Sequence, residues 1–173
     1  MTFMRQNIND LKAVGVGSRE EAMEVFKDAL YKNSASFSPM SKETAIEVVS
    51  DGISSSVMTG WFRSADSDYK PSLEMSIISN PTVRNAGLNI AHSNYEEVTG
   101  KKIAFGDFLD KQITVYRGGD SRLVANDVFV SYSFSKEVAQ KFGSNVRSIR
   151  IRPKDTLGSY QTTGEAEVLV RRK

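Results

Sequence analysis

"QITVYRGG" (residues 112–119) is where this chain changes character. Upstream of it, apolar residues recur every three or four positions. Within it they alternate, with Ile113 and Val115 set off by Thr114 and Tyr116, and the run ends in two glycines. That is the pattern of a strand entering a turn. Three similar segments follow. "VFVSYSFS" (128–135) alternates again, "VRSIRIRP" (146–153) alternates arginine with apolar residues and stops at Pro153, and "GEAEVLVRRK" (164–173) reads as a last strand. "SKEVAQKFG" (135–143) is a short helix between two of them.

Upstream the period is helical. "SREEAMEVFKDALYK" (18–32) opens with Ser18 and Glu21 at capping-box spacing and carries a stripe through Met23, Phe26 and Leu30. "SKETAIEVVSDGISSSVMTGWF" (41–62) places Ile46, Val49, Ile53 and Val57 at helical spacing, with Gly52 weakening the middle. "NPTVRNAGLNIAHSNYEEVTG" (80–100) has Asn80 as N-cap, Pro81 at the first helical position and Gly100 as its stop. Helices first and strands later predict an α+β domain, with the helices packed on a mostly antiparallel sheet. One domain over 1–173 is the economical reading, with 1–110 a mainly helical lobe and 111–173 a β-rich catalytic core.

Composition narrows the chemistry. The chain has 173 residues, a net charge of +2, no cysteine and one histidine. Thiolate nucleophiles, disulfides and Cys-based zinc sites are excluded, and so is any site needing two histidines. No metal is called for. The charge is too small to argue nucleic-acid binding by itself. The first residues lack the apolar core of a secretory signal, and no run approaches the length of a membrane span, so a cytosolic setting is expected.

Polar residues stand where half-buried strands would not choose them. Ile113, Val115 and Arg117 share a strand face; so do Phe129, Ser131 and Ser133; so do Glu165, Glu167 and Leu169. If those faces converge, one cleft holds a guanidinium, two hydroxyls and two carboxylates. Taken singly, each has a bland explanation: a strand-end arginine in solvent, hydroxyls bonded to backbone, glutamates on a solvated sheet face.

The combination, in this order, resembles the Arg–Ser–Glu class of mono-ADP-ribosyltransferases (cholera- and iota-toxin-like). The likeness rests on "VYRGG" (115–119), "FVSYSFSKEVAQKFG" (129–143) and "GEAEVLV" (164–170), and covers roughly residues 105–173. The family's S-T-S stands here as Ser131-Tyr132-Ser133. Glu at the first position of E-x-E is similar to the arginine-modifying branch. The resemblance implies a two-sheet core and transfer of ADP-ribose from NAD to an arginine of a host or target-cell protein, in the manner of a phage or effector product.

It also implies roles. Arg117 meets the NAD pyrophosphate and Gly118 lies against the nicotinamide. Glu167 holds the ribose, with Ser131 orienting it. Glu165 receives the acceptor guanidinium. Ser133, the aromatic Phe142 and, displaced from the usual spacing, Arg147 complete the NAD site. Tyr160, in the loop "DTLGSYQTTGE" (155–165), is placed to recognise the acceptor, or is a strand-end core residue.

Other signals carry less. "GVGS" (15–18) is an incomplete phosphate loop, better read as a turn and cap. Trp61 and Arg63 in "GWFRS" (60–64) suit adenine and phosphate, or a core. His92 lies in a helical pattern with no triad partner. Arg147, Arg150, Arg152, Arg171, Arg172 and Lys173 form a basic run that is either a solvated sheet face or a surface steering an acidic protein or RNA. The competing functions are an NAD glycohydrolase or nucleic-acid transferase, and an idle binding module with the same fold.

Overall fold

The architecture follows from two kinds of local signal meeting in one core. The computed structural model describes residues 23–24, 27–28, 30, 37–52, 80–119, 129–160 and 164–171. Readings placed on Ser18, Glu21, Phe26, the 15–18 turn, Ile53, Val57, Trp61, Arg63, Arg172 and Lys173 lie outside them. Four helices have defined bounds: α1 (Lys42–Gly52), α2 (Pro81–Thr99), α3 (Phe105–Asp110) and α4 (Lys136–Gln140). Met23, Glu24, Lys27, Asp28 and Leu30 are also helical. Among the described residues no helix is long and apolar enough to cross a membrane.

The central helix α2 begins and ends where its sequence says. Asn80 Oδ1 accepts from the Val83 amide at 3.3 Å, Pro81 occupies the first turn, and Gly100 closes the helix in the left-handed conformation at φ 69°. Its length buries Val83, Leu88, Ile90 and Ala91. Two asparagines one turn apart are buried with them, and both are satisfied by backbone. Asn85 Oδ1 accepts from the Ser38 amide at 3.0 Å and Asn89 Oδ1 from the Met40 amide at 2.8 Å, while Asn89 Nδ2 donates to the Ser38 carbonyl. The segment before α1 is thereby docked on α2 as if to a neighbouring strand. Further along the same face, His92 Nε2 lies 2.6 Å from the Ile103 carbonyl and Glu96 accepts from the Ile103 amide, so His92 is a structural clamp.

Arg84 is the largest fully buried side chain among the described residues. It donates to the carbonyls of Leu30, Lys154 and Thr156 and lies 4.8 Å over the Phe37 ring. Burial lowers its pKa to about 10, offset in part by Tyr160 and Asp155, so it stays charged at neutral pH. Arg84→Met is expected to destabilise the fold by about 1–3 kcal/mol, because it strands carbonyls that water cannot reach; urea unfolding measures this.

The strands β1 (Ile113–Gly118), β2 (Phe129–Ser133), β3 (Val146–Ile151) and β4 (Glu167–Arg171) form one antiparallel sheet in the order β3-β1-β2-β4. This bears out an α+β chain with an antiparallel sheet; a second sheet is not seen among the described residues. One face of the sheet packs Ile113, Val115, Val168 and Val170 against Leu88, Phe105 and Phe108. After β3, a single 3-10 turn (Pro153–Asp155) leads the chain across to the outer edge of β4. There the Leu157 amide donates to Leu169 and the Leu169 amide to Gly158. Residues from the two edges of the sheet are thus brought together by one short crossing.

Register corrects the expected faces. Tyr116 pairs with Ser133, so Ser131 and Ser133 share a side with Tyr116 and Gly118, whereas Arg117 alternates away from them. The last strand also starts later than expected. β4 begins at Glu167, and Ala166 has φ 50° and Gly164 φ 78°, which breaks the alternation. Glu165 therefore sits in a turn and not on a strand face shared with Glu167.

Candidate active site

A cavity of about 310 Å³ opens where the ends of β1, β2 and β4 meet α4. Arg117, Gly118, Ser131, Ser133, Glu165 and Glu167 all line it, and Phe142 stands at it with 61% of its surface exposed. The structure thus brings together the residues that three separate motifs singled out. Tyr116 and Val138 line it too. Neither was singled out from the sequence, although Tyr116 becomes legible once it is known to pair with Ser133.

Glu167 is the centre of the geometry. It opens β4, is 5% exposed, and accepts a 2.7 Å hydrogen bond from Ser131 Oγ on the neighbouring strand. Behind it, Asn94 of α2 lies 3.5 Å from the Glu167 carbonyl. Burial raises the Glu167 pKa above the usual carboxylate value, the Ser131 bond pulls it back, and the charge of Glu165 raises it further. The carboxyl group pushed up in this cleft is therefore Glu167, mainly through lost solvation.

Glu165 reaches the same cavity by a different route. Its carbonyl accepts from Ser133 Oγ at 2.7 Å, and the Ser133 oxygen also accepts from the Ser135 amide at 3.0 Å. Ser133 is buried at 7% exposure. It works as a staple between the turn holding Glu165 and the start of α4, whose own cap is Ser135 Oγ accepting from the Val138 amide.

Arg117 overcomes the register by its length. Its Nη1 donates to the Ser131 carbonyl at 2.8 Å, which swings the guanidinium over β2 and into the lining of the cavity. Arg147 of β3 pairs directly with Arg117 of β1, is exposed, and lies beside the cavity without lining it. Like charges on paired positions repel, so this pair raises the positive potential at the cavity edge.

Packing fixes two of the expected residues. Gly118 does not leave open space: a Cβ there would meet the Ala139 carbonyl oxygen at 1.7 Å and the Gly143 oxygen at 3.2 Å. The glycine lets α4 and the turn after it lie directly on the end of β1, which is what walls the cavity. Tyr160 is not in the cavity at all. Its ring lies against Gly87 in the helix interior and packs with Ala45, Val49, Ala86 and Ile90. Its hydroxyl is buried with no hydrogen-bond partner among the described residues, and burial pushes its pKa well up. The core reading is the one the structure gives it. Tyr132, whose side chain opposes the serines, packs on the main core.

Among the described residues no group of three or more His, Cys, Asp or Glu side chains is placed to hold a metal ion. No family model, curated protein or solved structure matches the chain.

Proposed function

We propose that this chain is a mono-ADP-ribosyltransferase that moves ADP-ribose from NAD to an arginine side chain of a target protein and releases nicotinamide. The observation that carries the reading is the part-buried Ser131–Glu167 hydrogen bond at 2.7 Å, in a cavity that also holds Arg117, Glu165 and an exposed Phe142. Such a carboxylate is suited to a sugar that becomes cationic.

On this reading Arg117, with Arg147 adding potential nearby, meets the pyrophosphate, because a planar fork of donors matches phosphate oxygens. Phe142 offers its face to the nicotinamide. The bond between nicotinamide and ribose breaks, and its electron pair leaves with the nicotinamide nitrogen. Glu167 binds the ribose 2′-hydroxyl and stabilises the oxocarbenium-like sugar. A guanidinium nitrogen of the acceptor then bonds to the anomeric carbon, and Glu165 takes the proton it sheds. Ser133 holds the Glu165 backbone in place for that task. The setting that suits this activity is the cytosol of a host or target cell, where NAD and protein acceptors coexist.

The test is incubation with labelled NAD and a host lysate. Label on protein, resistant to ribonuclease, is the expected outcome. Glu165→Ala is expected to lower transfer by about 10²-fold or more while nicotinamide release persists. Equal loss of both would sink the division of labour between the two glutamates. Nicotinamide release without any labelled macromolecule would make the protein an NAD glycohydrolase, and ribonuclease-sensitive label would make nucleic acid the acceptor. No NAD turnover at all would leave an idle binding module.

A further inference from the structure

A second concavity, of about 410 Å³, shares no lining residue with the candidate active site. Among the described residues, Lys27, Arg150, Arg152, Lys154 and Arg171 line it, against a single acidic side chain, Asp155. On a chain of net charge +2 this is a marked local concentration of cations. Lys154 is neutralised by Asp110 at 2.9 Å. Arg150, Arg152 and Arg171 make no ion pair among the described residues.

The cluster is a product of the fold. Arg150 and Arg152 sit at the exit of β3 and Arg171 at the end of β4, on the two outer strands of the sheet. The crossing from β3 to the outer edge of β4 sets them around one groove. Among the described residues its apolar lining is Leu30, Ile151 and Val170, with no aromatic side chain. Placing three guanidiniums around one groove, with no ion pair to any of them among the described residues, costs free energy that a bound anion would offset.

We propose that this groove binds the phosphodiester backbone of single-stranded nucleic acid. Guanidinium forks match phosphate oxygens, and a strand presents one charge per nucleotide without interruption, so any stretch of it meets several of these arginines at once. An acidic peptide would need a particular sequence to do the same. The described lining offers no aromatic platform for stacking bases, so the arginines read backbone and charge without base sequence. Because the groove and the candidate active site share no residue, the chain can rest on a nucleic acid or nucleoprotein while its other cavity stays open. This does not depend on the transferase reading.

The test is fluorescence anisotropy of the full chain with a labelled single-stranded RNA of about 12 nucleotides, a length within the usual site size, across a salt series. Saturable binding is expected, with log affinity falling linearly with log salt. Arg150→Glu with Arg152→Glu, both exposed positions, is expected to weaken binding by about tenfold or more and to flatten the salt slope by roughly 0.7 for each phosphate no longer neutralised. Arg171→Gln, made separately, shifts affinity in the same direction. Lys101→Glu with Lys102→Glu makes the same change in net charge on an exposed loop away from the groove, and is expected to leave binding near wild type. The proposal is overturned if the wild type does not bind, if the lysine pair weakens binding as much as the arginine pair, or if polyglutamate of equal charge displaces the RNA at equal concentration.

Discussion

Glu167→Gln is expected to lower NAD cleavage by about 10³-fold and, at the same time, to make the protein more stable at neutral pH. The two effects share one cause. Glu167 is held as a carboxylate in a buried position, where solvation is lost and only the Ser131 bond compensates directly. Its folded pKa is therefore raised. A carboxyl group raised on folding binds more protons in the folded chain than in the unfolded one. Its favourable contribution is complete below the ordinary carboxylate value and is lost as pH climbs through the raised value.

At pH 7 the ionised side chain is thus a burden on the fold, and a neutral amide of the same shape relieves it. The expected gain is about 1 kcal/mol, or roughly 2–4 °C in melting temperature. That gain should vanish as pH falls to the ordinary carboxylate range, where wild-type Glu167 is itself protonated. Differential scanning calorimetry across pH, beside nicotinamide-release assays, reads both. A variant that loses activity without gaining stability at pH 7 would mean that Glu167 is not desolvated in the free protein. The acid limb of the wild-type rate profile should likewise lie above the usual carboxylate value, because only the carboxylate stabilises a cationic sugar.

Gly118→Ala is expected to cost about 3 kcal/mol or more, at the upper end for overpacking. The added methyl group would meet the Ala139 carbonyl oxygen at 1.7 Å and its carbon at 2.7 Å, both backbone atoms that no rotamer change can move. Relief requires lifting α4 from β1, which removes one wall of the cavity. Gly106→Ala is the matched control. Gly106 lies in α3 with nothing within 4 Å of the added carbon, so alanine there should stabilise by up to about 1 kcal/mol through helix propensity. Guanidinium unfolding of the pair decides it: a Gly118→Ala midpoint close to that of the wild type would refute the packing of α4 on the sheet.

The cavity-lining set was legible in the chain because Ser131 and Ser133, and likewise Glu165 and Glu167, are neighbours in sequence, and because Arg117 closes a recognisable strand. What each residue does there was less legible. Ser133 reads from sequence as a second hydroxyl facing NAD, yet its bonds run to the Glu165 carbonyl and the Ser135 amide. Gly118 reads from sequence as backbone lying against a flat ring, and its missing side chain is also what lets α4 pack on β1. Tyr160 reads as an acceptor-facing aromatic or a core residue, and it packs, partly buried, against the helical core. Each of these depends on an element distant in sequence, which composition and periodicity do not address.

By itself, the sequence determined the local elements: the cap and stop of α2 at Asn80 and Gly100, the alternation in β1 and β3, and the break at Pro153. These follow from torsional preference and side-chain period, which act over a few residues. The tertiary structure decided how the strands are phased. Alternation says which residues of one strand share a face, but a shift of one residue in pairing turns a whole strand over. The match of Tyr116 with Ser133, the left-handed Ala166 that drops Glu165 into a turn, and the crossing that joins Arg150 and Arg152 to Arg171 all come from long-range pairing and packing. Hydrogen bonds between strands and the burial of a shared core select that phase, and neither is written in any one segment.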